Sequence, residues 1–121
     1  MKELDINIGK AELLTMMVFT TGCVVDHVTT FYGLFLPTIV EVNPVVLLLI
    51  GSGVWHIVEI LIIASGTCSG LLVSGSKSKT VIRFSMMALA AVGLVRLYAG
   101  FHNLVLVSNV VSMLELSLNP F

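Results

Sequence analysis

An apolar run with charge in its interior restricts this chain more than any other feature. From about Ala11 to Leu36 the sequence is long enough to be one helix across a bilayer, for which about 20 mostly apolar residues suffice. Asp26 and His27 stand well inside that run. Ionisable groups at such depth cost about 2.5–3.5 kcal/mol each on insertion scales, so they face a partner or a cavity rather than lipid. The fold must therefore supply a polar interior.

The rest of the chain agrees with a bilayer as its partner. Of the 121 residues 57% are hydrophobic and 11% charged, and the mean hydropathy is +1.08. Soluble domains carry about 25% charged residues, so an ordinary soluble domain is excluded. A net charge of -1 without a basic patch excludes nucleic acid as a partner. The length leaves room for one compact unit. The polar start, MKELDINIGKAE, does not suit a cleavable signal, and Thr20-Thr21-Gly22-Cys23 lacks the apolar first residue of a lipoprotein box. The first run is thus expected to be a retained helix. Cys23 and Cys68 are expected at depths about 15 Å apart, too far for a bridge.

The sequence predicts an all-α integral membrane four-helix bundle. Its helices cover about 11–36, 44–73, 81–100 and 101–118, with Pro44 in a first helical turn and SGSKSKT as a hairpin before the third. The GFHN stretch leaves almost no loop, so an abrupt turn near Gly100 is expected. Lys2 and Lys10 precede the first helix, Lys77, Lys79 and Arg83 flank the second connection, and the Pro37–Asn43 loop holds no Lys or Arg. Four spans with both termini in the cytoplasm fit that asymmetry.

Small and polar residues fall on one face of each helix. Gly22, Asp26, Thr29, Thr30 and Gly33 form a stripe in the first, Ser52, His56 and Glu59 in the second, and Gly93, Arg96 and Gly100 in the third. His102, Asn109 and Ser112 make a looser one in the fourth. Asp26 and His56 come out at similar depth, about 15 Å and about 18 Å below the outer ends of their helices. The stripes converge on one interior site, for which Asp26, His27, Thr30, Glu41, Asn43, His56, Glu59, Arg96 and His102 are the candidate ligand-binding residues.

Several chemistries fit that set. Imidazole with carboxylate suits a divalent metal, with His56, Glu59 and Asp26 as ligands. The same groups suit a proton relay, and His27 with His56 would be the axial pair of a haem, a weaker fit. Packing alone explains the small residues and hydroxyls, with Asp26 and Arg96 as a buried pair. It explains less well why acids and imidazoles gather in one half of the membrane. Two functions therefore stand open: a module that binds or conducts a cation, proton or small ligand, and an accessory or anchor subunit of a homo-oligomer or larger membrane complex, haem- or quinone-associated. Acid–base chemistry by Asp26 and His56 on a lipid-phase substrate is a third.

The stretch Asp26-x-x-Thr29-Thr30, then Gly33, then Glu41-x-Asn43-Pro44 resembles a prokaryotic family of small four-helix membrane proteins of unknown function. The resemblance implies a shared four-helix architecture, with Arg83, Arg96-Leu97-Tyr98 and His102-Asn103 in its later helix pair. It implies no activity, and His27, His56 and Glu59 lie outside its pattern. Asn43 is independently expected to cap the second helix ahead of Pro44, with Glu41 beside the positive helix end.

Overall fold

A computed structural model describes residues 8–36 and 38–118. Lys2 and Pro37, which entered the reading above, lie outside them. The described residues form four helices and no strand: α1 (Lys10–Gly33), α2 (Pro44–Gly51), α3 (Trp55–Ser74) and α4 (Lys79–Leu118). Of these, α1, α3 and α4 are long and apolar enough to cross a membrane.

The core is the seam between α1 and α4, where glycines let two backbones touch. Gly22 of α1 meets the Gly93 carbonyl of α4, and a methyl added at Gly93 would lie 2.6 Å from the Phe19 Cα. One added at Gly100 would lie 2.8 Å from the Asp26 backbone nitrogen. Both helices rise in the same direction, since Gly93 lies at the level of Gly22, Gly100 at Asp26 and Val107 at Gly33. Helix α3 descends beside them, with Gly66 against the Phe19 ring, Gly70 against Met16 and the Thr20 and Thr67 hydroxyls 3.3 Å apart. Buried Met16, Phe19, Gly22, Cys23, Thr29 and Gly33 mark the inward face of α1. Cys23 is fully buried and Cys68 exposed, both as free thiols.

Two boundaries differ from the sequence expectation. The expected helix over 44–73 is broken at Ser52–Val54. Gly53 adopts φ +73°, its N–H bonds the Ile50 carbonyl, and the Val54 N–H reaches the Leu49 carbonyl at 3.2 Å. These are the bonds of a Schellman motif, which needs a left-handed residue that glycine supplies without strain. Conversely, the turn expected at Gly100 does not form, and α4 is continuous over 40 residues. No proline or left-handed residue interrupts it, and Gly100 serves the close approach of α1. The four-span bundle with helices at 81–100 and 101–118 is therefore replaced by one helix about 60 Å long at about 1.5 Å per residue. Its Leu118 end lies at the opposite end of the bundle from Lys10.

The α3–α4 connection is the expected short hairpin: Ser76 Oγ accepts from the Ser78 N–H at 3.2 Å and Ser78 Oγ from the Val81 N–H at 3.4 Å. Because the α1–α4 seam has no space for a side chain, Gly93→Ala should cost about 1–3 kcal/mol by overpacking. Gly51→Ala, whose added methyl meets nothing within 4 Å, should cost nothing. Unfolding in mixed detergent followed by circular dichroism compares the two, and equal stabilities would refute the seam.

Candidate polar cavity

Three helices each bring one charged side chain to the same point. The seam at Gly100 sets Asp26 against α4, and Arg96 lies one turn before that glycine. Arg96 Nη1 donates to Asp26 Oδ2 at 2.8 Å and to Glu59 Oε1 at 3.2 Å, and Nη2 donates to the same Glu59 oxygen at 3.2 Å. Asn103, seven residues on and therefore on the same face of α4, donates to Thr30 Oγ1 at 2.9 Å and to Asp26 Oδ1 at 3.5 Å. Glu59 is only 4% exposed, and its second oxygen, Oε2, is buried without a protein hydrogen-bond partner.

The cluster opens onto a cavity of about 400 Å³, whose wall includes Asp26, His27, Thr30, Glu41, Trp55, Glu59, Arg96 and Asn103. Its charges do not balance. Asp26 and Glu59 share a single guanidinium, so with both carboxylates ionised the trio carries one excess negative charge. Burying such an excess is expensive, and a bound proton or cation removes it. Trp55 Nε1 and His27 Nδ1 are likewise buried without a protein partner, and both residues line this cavity.

The histidines are organised apart from the acids. His27 Nε2 lies 2.9 Å from His56 Nδ1. The His27 ring lies tilted against Trp55 with centroids 4.3 Å apart, and the His56 ring stands edge-on to Phe31 at 5.2 Å. The break at Ser52–Val54 makes this pairing. By starting α3 at Trp55, it puts Trp55 and His56 against α1 about 9 Å below the Gly33 end, at about 1.5 Å per residue.

Among the candidates from sequence, Asp26, Glu59, Arg96 and Thr30 thus meet directly, and His27 and His56 form an adjoining pair. His56 does not join Asp26 and Glu59 as a ligand set, and among the described residues no three His, Cys, Asp or Glu side chains are arranged to hold a metal ion. Asn43 caps α2 through Oδ1 to the Val45 N–H at 3.0 Å, and Glu41 Oε1 accepts from the Asn43 N–H at 2.7 Å. Glu41 therefore acts at the helix entry while lining the cavity rim. His102 is exposed and lines a separate, smaller space of about 170 Å³ beside Gly33 and Val107. Sequence reasoning left out Trp55 and Asn103. The seven-residue spacing from Arg96 to Asn103 would have shown Asn103, had α4 been read as continuous.

Removing the shared cation leaves two buried carboxylates facing each other. Arg96→Met should cost about 3 kcal/mol, and adding Glu59→Gln should recover part of the loss. A double-mutant cycle on unfolding free energies measures that coupling, and strictly additive effects would count against the shared-cation geometry.

No curated protein and no solved structure matches the chain. A family model described as a domain of unknown function, DUF5658, matches residues 17–113, most of the chain and all the residues of this cavity, so the chain belongs to that family.

Proposed function

We propose that the protein is a membrane module that binds and passes a proton or small cation through the cavity at Asp26, Glu59 and Arg96. The observation that supports this reading is the charge count. Two carboxylates share one guanidinium, and buried Glu59 Oε2 lacks a protein partner. A proton or cation at Glu59 neutralises the trio, and Arg96 then remains paired to Asp26. The helix break supports it too, because non-helical backbone at membrane depth is tolerated where it is buried or lines a water-filled cavity.

In this reading the Lys10 end and the Lys77–Lys79 hairpin, which lie at one end of the bundle, face the cytoplasm of a prokaryotic cell. The cavity then belongs to the outer half of the membrane. Purified protein in liposomes under an imposed potential tests the function, with tracer sodium and potassium and an internal pH dye as readouts. Wild type should pass one of these ions, and Glu59→Gln and Asp26→Asn should pass little. Equal flux in folded variants would remove the cavity from the pathway.

A second reading, an accessory subunit of a larger membrane assembly, is favoured by α4. Beyond Val107, which meets Gly33 at the end of α1, it continues for about 16 Å at about 1.5 Å per residue, with Val111, Met113 and Leu116 exposed. Helix α2 buries no residue at all. A cysteine in place of Val111, in a Cys68→Ser background, should then cross-link to another polypeptide in native membranes. Absence of any adduct would oppose the subunit reading.

A further inference from the structure

The cavity at Asp26, Glu59 and Arg96 has a neighbour. The smaller space of about 170 Å³ adjoins it, and Thr30, Glu41 and Asn103 stand in the walls of both. This second space lies beside Gly33 at the end of α1, and residues 39–42 of the connection to α2 line it. From Lys10 to Gly33, α1 rises about 35 Å at about 1.5 Å per residue, more than the ~30 Å of a hydrocarbon core. With Lys10 at one membrane surface, the smaller space and the exposed His102 in its wall lie at the other.

We propose that this space is a vestibule, an outer binding site from which the cation enters the cavity. Glu41 is its carboxylate, and the Thr30–Asn103 hydrogen bond is the barrier between the two chambers. This rests on the reading of the cavity as a proton or cation site, and it adds the end from which that site fills. Glu41 suits the role because it belongs to both chambers. Its Oε1 accepts from the Asn43 N–H at 2.7 Å, which holds the side chain in place. Ile39, Val42, Leu106 and Val107 make the vestibule walls largely apolar. A carboxylate between low-dielectric walls concentrates cations locally.

The barrier is built from side chains that can part at little cost. Asn103 Nδ2 donates to Thr30 Oγ1 at 2.9 Å and lies 3.5 Å from Asp26 Oδ1, so one amide joins the vestibule wall to the charged trio. The neighbouring Thr29 hydroxyl donates to the Val25 carbonyl of its own helix at 2.8 Å. Thr30 has the same option in the carbonyl four residues back. When the bridge opens, Thr30 turns to its own helix and Asn103 keeps Asp26, so neither is left unpaired. At most one hydrogen bond separates closed from open, a factor of about five in population.

The test uses the full chain in liposomes with the tracer ions and internal pH dye. A water-soluble cationic methanethiosulfonate is present on both sides of the membrane. His102→Cys in a Cys68→Ser background should be labelled, and labelling should abolish flux by placing a fixed positive charge in the vestibule. Met113→Cys, exposed on the part of α4 beyond α1, should be labelled without effect on flux. Glu41→Gln keeps an acceptor for the Asn43 N–H and removes the charge. It should raise the half-saturating ion concentration about tenfold, the low end of such electrostatic focusing. Thr30→Val, which takes the acceptor from Asn103, should raise maximal flux about fivefold. An unlabelled thiol at 102, full flux after labelling, or an unchanged half-saturating concentration in Glu41→Gln each overturns the vestibule. Flux that still depends on Glu59 then leaves the cavity reading standing. No flux of any ion in wild type overturns both.

Discussion

The contact on which everything else depends is the backbone-to-backbone approach of α1 and α4 at Gly22, Gly93 and Gly100. Lipid tails give membrane helices little hydrophobic reason to associate, so close packing and interhelical hydrogen bonds carry the association. At Gly100 the α4 backbone lies near the Asp26 nitrogen, and Arg96, one turn before that glycine, bonds the Asp26 carboxylate at 2.8 Å. A side chain in the seam would separate the helices and strand both charges. Packing and electrostatics are thus one structural decision here, and the ion pair is available because the glycines are.

The polar set was legible in the sequence to the extent that it obeyed helix geometry. Asp26, Glu59 and Arg96 stood out as ionisable residues inside apolar runs with inward-facing spacing, and they meet. What stayed hidden follows from the two uses of glycine. Gly100 looked like a turn but is a packing residue, whereas Gly53 looked like part of a helix but is the left-handed residue that ends one. A glycine without its neighbours in space does not reveal which use it serves, since absence of a Cβ permits both. The error at Gly100 split α4 and put Asn103 on a different helix from Arg96. The error at Gly53 ran α2 into α3 and concealed why Trp55 begins a helix beside His27.

The break at Ser52–Val54 does more than shorten a helix. It fixes where α3 begins, and hence which residues of its first turns face α1. Trp55 and His56 meet His27 there, and Glu59, one turn further, meets Arg96. It also leaves the first-turn N–H groups of α3 without intrahelical carbonyls. Backbone groups of that kind require protein or water around them. A polar cavity beside the break meets that requirement.

Arg96 holds its two acids unequally. Its Nη1 is divided between Asp26 Oδ2 and Glu59 Oε1, and the contact to Asp26 is the shorter, 2.8 Å against 3.2 Å. A guanidinium is most strongly held by a carboxylate when two N–H groups meet two oxygens, and neither acid has that arrangement here. Asp26 keeps a second donor in Asn103, while the remaining oxygen of Glu59 has no protein donor. The two acids are therefore held differently: Glu59 takes two guanidinium N–H groups on one oxygen and no protein donor on the other, whereas Asp26 takes one donor on each oxygen. The asymmetry between the two carboxylates follows from one asparagine on one face of α4, which reaches Asp26 and leaves one oxygen of Glu59 without a protein donor.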